Sequence, residues 1–228
     1  MTFDDGPSAN TPDLLATLAN HNVKASFFMI GSNVQSYPQN VKAAYDAGHH
    51  IACHTQTHPS LPSLSLSGQI AELTGCSNAI HAAIGKTPTY FRPPYGDYDA
   101  NTIAAAKSLN LKMALWDSDT QDLTKSLSTD QIIQAYHTIL GGTSPSTNSA
   151  IFLEHEIWAN TRAAVDTLIN YVNGLGYKLV TMPECLGDGV SLDLFNFHIL
   201  SRCFALILQY ENVDFFFFFF YCFCDFPT

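Results

Sequence analysis

The chain has 228 residues, 46% of them hydrophobic and only 13% charged, with a formal net charge of −10. That length makes one large domain or two small ones, with enough apolar content for a packed core. The negative balance argues against nucleic acid or an anionic membrane as partner.

The chain opens on a β-type run that ends in Asp4, Asp5, Gly6 and Pro7. Neighbouring carboxylates repel, and side chains alternate along a strand. The two acids can therefore share a site only where the backbone turns, and Gly6-Pro7 is expected to supply that turn. A cation beside them would remove the repulsion.

Thr11 and Pro12 then start a helix with Leu14, Leu15 and Leu18 on its apolar face. Residues 23–30 read as a buried strand. A helix from Pro38 stops at Gly48, and residues 49–53 form a short strand. Residues 66–84 make a long amphipathic helix. Residues 89–91 are a strand stub, and Asp99 caps a helix through Leu109. Strands are expected at 111–116, 149–153 and 177–180, and helices at 129–140 and 161–175. Strand–helix alternation of this kind gives parallel strands covered by helices. With seven strand candidates and no glycine-rich nucleotide loop, a distorted β/α barrel is favoured over an open doubly wound sheet.

In such barrels the reactive groups project from the carboxyl ends of the strands. Asp4 and Asp5 fall at such an end, as do His54 to His58, Arg92 to Gly96, Asp117 with Asp119 and Asp122, and His155 with Glu156. His54 and His58 are spaced four apart, which on one helical turn puts both imidazoles on one side. Pro59 limits that helix to a single turn. Asp5 is the natural carboxylate to complete a His-His-Asp metal set. Three protein ligands leave an open position for a water whose pKa the ion lowers, the mark of a catalytic site.

Four segments, Thr2 to Pro7, His54 to His58, Arg92 to Gly96 and Phe152 to His155, resemble in this order the polysaccharide deacetylases of the NodB-homology, carbohydrate esterase family 4 type. The segment Met182 to Asp188 further resembles the end of fungal chitin deacetylases. The resemblance implies a deformed (β/α)7-type barrel over residues 1–189, with its first strand truncated. It also implies hydrolysis of N-acetyl groups from chitin or another N-acetylated polysaccharide. By the same resemblance Asp4 matches the general base, and Asp5, His54 and His58 the ligands of a divalent metal, zinc first and cobalt second. Arg92 matches the residue that holds the base, and the Tyr95 backbone N–H the oxyanion donor. His155 matches the general acid, and Leu153 the wall beside the acetyl methyl. Asp122 aligns best with the aspartate that tunes the acid, with Asp119 as second choice. Leu123 stands where the family carries Trp, and Gln56 where relatives place an aromatic. Trp158 and Tyr98 are candidate sugar platforms. An O-acetyl xylan esterase, a peptidoglycan deacetylase and a non-catalytic carbohydrate-binding relic are the alternatives.

Family likeness points to a monomer that is secreted or held in the cell wall in its full-length form, although Met1 opens almost directly on the first motif and no signal peptide is visible. Of six cysteines, Cys53, Cys76 and Cys185 lie in the body. Their odd number leaves open whether one lacks a partner or all are reduced. Residues 190–228 form a hydrophobic tail with a phenylalanine run at 215–220, too short and interrupted to span a bilayer. Its pattern fits a translated intron.

Overall fold

The computed structural model describes residues 1–123 and 127–188; the tail from 190 onward lies outside the described residues. Seven strands lie in one parallel sheet: β1 (Thr2–Gly6), β2 (Ser26–Met29), β3 (His50–Cys53), β4 (Tyr90–Phe91), β5 (Lys112–Met113), β6 (Ser118–Asp119) and β7 (Phe152–His155). Their spatial order is β5-β4-β3-β2-β1-β7-β6. Its two ends, β5 and β6, are separated in sequence only by residues 114–117. So short a segment spans at most about 18 Å, so the sheet curls until its edges nearly meet. This is the deformed (β/α)7-type barrel expected.

Helices α1 (Thr11–Asn20), α2 (Gly31–Ser36), α3 (Pro38–Asp46), α4 (Leu66–Ile84), α5 (Ala100–Ser108), α6 (Thr129–Leu140), α7 (Ala159–Gly174) and α8 (Met182–Cys185) surround it. Asp99 and Ser128 begin α5 and α6 with reciprocal capping boxes. Strand alternation divides the buried residues into two sets. Phe3, Phe27, Phe91 and Phe152 belong to the large core that takes in the helices. Phe28, Ala52, Tyr90, Ala114, Ile151 and Met182 form a second cluster in the barrel interior. Met182 is held there by its backbone N–H, which donates to Ser26 Oγ (2.7 Å). Tyr90 and Lys112 both donate to the Asp188 carboxylate, fastening the end of this segment.

Several expectations need correction. Residues 177–180 form no strand, because the sheet order leaves β7 paired on both sides by β1 and β6. The seventh strand is instead β6, only two residues long. A cavity of about 120 Å³ lies between residues 177–180 and the start of β1 and β7. Helix α2 was not expected, since six residues are too few to show a helical period. Cys53 and Cys76 form a disulfide that ties β3 to α4.

Glu154 points into the outer core, where its Oε1 accepts a hydrogen bond from the Tyr136 hydroxyl (3.0 Å). Burial pushes its carboxyl up from 4.5 to about 8. Across that window the folded protein keeps a proton that the unfolded chain has released, so stability falls as pH rises. Glu154→Gln retains an acceptor for Tyr136 and removes this titration. Its melting temperature should fall less between about pH 4.5 and 8 than the parent's. Parallel melting curves against pH would contradict the burial argument.

Candidate active site

The site grows from the register of the sheet. Asp4 on β1 lies directly beside His155 on β7. Cys53, the residue before His54, pairs with Phe91, the residue before Arg92. Parallel pairing thus brings four polar residues to one rim.

Asp4 is buried and its Oδ1 accepts from Arg92 Nη1 at 2.8 Å. Its Oδ2 stands 3.7 Å from His54 Nε2. Burial raises the Asp4 carboxyl, while the charge and hydrogen bond of Arg92 oppose that rise. A carboxylate lifted in this way is a stronger base than a solvated one. The turn that lets Asp5 share the site is at Asp5 itself, with φ +68° and a register shift between Asp4 and Gly6. Aspartate is one of the few side chains that visit this left-handed region readily, so the turn need not wait for Gly6-Pro7.

His54 and His58 meet without a helical turn, which corrects the expectation drawn from their spacing. Residues 54–58 are a loop with left-handed backbone at Thr55 (φ +64°) and His58 (φ +63°). The imidazole centroids are 4.8 Å apart. His54 Nδ1 faces the Arg92 carbonyl at 2.8 Å, which fixes the proton on Nδ1 and leaves the Nε2 lone pair bare. Burial lowers His54 to about 3, so the ring is neutral at physiological pH.

Asp5 Oδ1 lies 3.6 Å from His54 Nε2 and 3.3 Å from His58 Nε2. This oxygen is buried and accepts no hydrogen bond. Among the described residues Asp5, His54 and His58 are the group whose ligand atoms converge closely enough to hold a metal ion, all within 4.8 Å of one another. An orphaned carboxylate oxygen facing two imidazole nitrogens fits a divalent cation with mixed oxygen and nitrogen ligands.

On the other side, His155 Nδ1 is 2.8 Å from Asp122 Oδ1, and the His155 backbone N–H donates to Asp122 Oδ2 (2.7 Å). The Thr161 hydroxyl also donates to Oδ2 (2.7 Å). Burial disfavours the imidazolium, but the hydrogen bond and charge of Asp122, with the charges of Asp4 and Asp5, outweigh it and push His155 up to about 9. Asp122 is therefore the residue brought to His155. Asp119 is exposed and accepts from the Gln121 N–H instead. Asp117 accepts from the Ile151 N–H, a structural task.

Tyr95 also has a left-handed backbone (φ +62°), and its largely exposed ring packs edge-on against His58 at 4.9 Å. Leu153 is buried on β7, two residues before His155 and on the same face. Trp158 is half-buried at the start of α7, and Tyr98 is exposed. Leu123 is exposed beside Asp122. Gln56 does not face the site: its side chain packs on Gly31 and Gly75, where an added Cβ would collide with it.

Thr2 and Thr161 escaped sequence reasoning. Thr2 donates to the Phe152 carbonyl and accepts from Arg92 Nη1. Its position two residues before Asp4, on the same strand face, was an available signal. Thr161 reads as an ordinary first-turn threonine. Glu156 parts from its neighbour His155. It turns behind the Asp4-Asp5 loop to accept from the Ser8 N–H and the Thr11 hydroxyl.

The polysaccharide deacetylase family profile matches residues 1–114. The chain is 35% identical over 211 residues to chitin deacetylase 1 of Cryptococcus neoformans, covering 84% of this chain and 44% of the relative. It is 34% identical over 193 residues to the peptidoglycan-N-acetylglucosamine deacetylase PgdA of Listeria monocytogenes, covering 84% of this chain and 39% of the relative. The chain belongs to the polysaccharide deacetylase family. It spans less than half the length of these curated relatives. Among solved structures it superposes on a family 4 carbohydrate esterase of Streptomyces lividans in complex with acetate with a TM-score of 0.70 and 35% identity, covering 77% of this chain and 88% of that one.

Asp122→Asn removes the partner that outweighs burial at His155. The His155 midpoint should then fall from about 9 toward the ordinary histidine value. Titration of its ring protons by NMR measures this directly, and an unmoved midpoint would break the assigned coupling. The same pairing stabilises the fold fully below the unfolded histidine value of 6.5, and that contribution is lost as pH rises through about 9.

Proposed function

We propose that this chain is a metal-dependent hydrolase that removes N-acetyl groups from chitin or chito-oligosaccharides, giving acetate and a free amine. The observation that carries the reading is the adjacency of Asp4 and His155 across β1 and β7, beside the Asp5, His54 and His58 set. A binding protein needs neither proton-transfer group.

Asp5, His54 and His58 would hold a divalent ion, zinc first and cobalt second, which would supply Lewis acidity and lower the pKa of water. Asp4, with Oδ1 fastened by Arg92, takes the proton of the attacking water on Oδ2. The Tyr95 backbone N–H donates to the oxygen that becomes negative. His155, held through Nδ1 by Asp122, gives the Nε2 proton to the departing nitrogen. The C–N bond breaks as that nitrogen is protonated. Leu153 walls the methyl pocket, and Trp158 is a platform for the sugar ring.

An alkoxide leaves more readily than an unprotonated amine, so an acid as well supported as His155 favours amide over O-acetyl ester substrates. Similarity to the Listeria enzyme supports peptidoglycan as a second substrate class. The Cys53–Cys76 disulfide supports an oxidising compartment, in keeping with secretion or the cell wall. Among the described residues no helix is long and apolar enough to cross a membrane. The net charge of −10 favours no nucleic acid, and the protein is proposed to act as a monomer.

Acetate release from chito-oligosaccharides should stop with a chelator and return with zinc. Asp4→Asn and His155→Ala should each lower kcat/KM by at least about a hundredfold. Undiminished turnover in either variant would overturn the mechanism. Parallel assays on peptidoglycan fragments and acetylated xylan rank the substrate classes.

A further inference from the structure

The loop that carries His54 and His58 is held in an unfavourable backbone shape, with left-handed conformations at Thr55 and His58. Neither residue is glycine, and such conformations persist only where the surroundings over-determine them. Each loop backbone group that finds a partner marks one of those surroundings. The carbonyls of Thr55 and Gln56 accept from the N–H groups of Gly31 and Ser32 at the start of α2. The His58 N–H donates to the Thr55 hydroxyl. The N–H groups of Gln56 and Thr57 both donate to Oε2 of Glu72, at 2.9 and 2.8 Å. The Thr57 hydroxyl donates to the other oxygen of the same carboxylate, at 2.8 Å. One side chain on α4 thus takes three of the loop's hydrogen bonds. The Cys53–Cys76 disulfide fastens the residue before His54 to the same helix one turn further on.

We infer that Glu72 is a positioning residue for metal binding: its carboxylate holds the loop in the shape that aims His58, together with His54, at Asp5. This rests on the metal site proposed above. Glu72 lies outside the reacting centre and acts only through the loop. The two histidines depend on it unequally. His54 is also anchored through Nδ1 to the Arg92 carbonyl and through its backbone N–H to Met29. The His58 ring is held instead by its contacts with His54, Tyr95 and Asp5. Loss of the Glu72 bonds should therefore release His58 first.

Two substitutions separate positioning from charge. Glu72→Ala removes every acceptor. Glu72→Gln is nearly isosteric: its carbonyl oxygen can accept from both N–H groups, and its amide can donate to the Thr57 hydroxyl, which then turns to accept. Zinc affinity is read by competition with a chromophoric chelator, and the coordination geometry from the absorption spectrum of the cobalt-loaded protein. Glu72→Ala should weaken zinc binding by about ten- to a hundredfold and change the cobalt spectrum. Glu72→Gln should stay close to the parent in both. Glu184→Ala, which breaks a surface pair with Lys178, serves as the control and should change neither. Amide exchange of the metal-free parent gives a reading that needs no variant: Gln56 and Thr57 should be protected although Thr57 is exposed. Parental zinc affinity in Glu72→Ala overturns the inference and leaves the deacetylase reading intact. Equal damage in Glu72→Gln and Glu72→Ala overturns it in favour of a charge effect, and unprotected amides in the parent overturn it as well. A parent that binds no metal overturns both this inference and the proposed metal site.

Discussion

The barrel interior is built around a buried guanidinium. Arg92 is fully buried, and a charge in that position must be paired and hydrogen-bonded or it expels itself from the fold. Its Nη1 donates to Asp4 and to Thr2, its Nε to the Ala114 carbonyl and its Nη2 to the Leu115 carbonyl. Phe28 lies 4.0 Å from the guanidinium carbon and Trp116 5.5 Å away. One side chain just past the end of β4 therefore reaches β1, β2 and the crossing that follows β5. Buried ion pairs are poor sources of net stability, because desolvation offsets much of their attraction. What this one supplies is geometry: it selects which oxygen of Asp4 is occupied and which remains for chemistry.

Backbone strain is gathered at the same rim. Asp5, Thr55, His58 and Tyr95 all have positive φ without being glycine. Among the described residues, the others are Asn22, Asn110 and Gln121, and asparagine accepts this region at low cost. Threonine and tyrosine do so rarely and histidine somewhat more often, so Thr55 and Tyr95 above all hold conformations that nearby packing and hydrogen bonds must maintain. The return is convergence. Each left-handed residue reverses the chain within one step, and two loops and a strand end thereby face one point.

This explains what the sequence could convey. Period and alternation expose the strand–helix rhythm and place polar residues at strand ends, so the candidate set of Asp4, Asp5, His54, His58, Arg92 and His155 was legible before any coordinates. The choice of Asp122 over Asp119 rested on motif alignment, and the geometry at His155 agrees with it. Local backbone shape was not legible. A four-residue histidine spacing suggests a helical turn because that is the commonest way to bring two rings together. Here two left-handed residues do the same from a loop, and no residue type in Thr55 or His58 announces it. Strand membership at the closing seam was equally hidden. Residues 177–180 have the composition of a strand, but pairing depends on an open neighbour, which is a property of the whole sheet. The cysteine count left the pairing open for a similar reason: Cys53 and Cys76 meet only because α4 packs back over β3.

Two carboxylates do opposite work in the proposed reaction, and their environments make the difference. Asp4 is raised by burial and faces a guanidinium that keeps its proton, so in the proposed reaction Asp4 is the member of the pair that can take one up. Asp122 is saturated by the Thr161 hydroxyl, the His155 backbone N–H and the imidazole, so it has no free role as a base. It spends its charge on His155, which is held protonated up to about pH 9. Groups of one chemical type are thereby driven toward base on one strand and toward support of an acid on the next, the pattern expected wherever acid and base must coexist at neutral pH. Exchanging those surroundings would leave Asp4 without its fixed partner and His155 without its proton. The direct register of Asp4 against His155 across β1 and β7 keeps the two side by side on one rim while their partners stay apart.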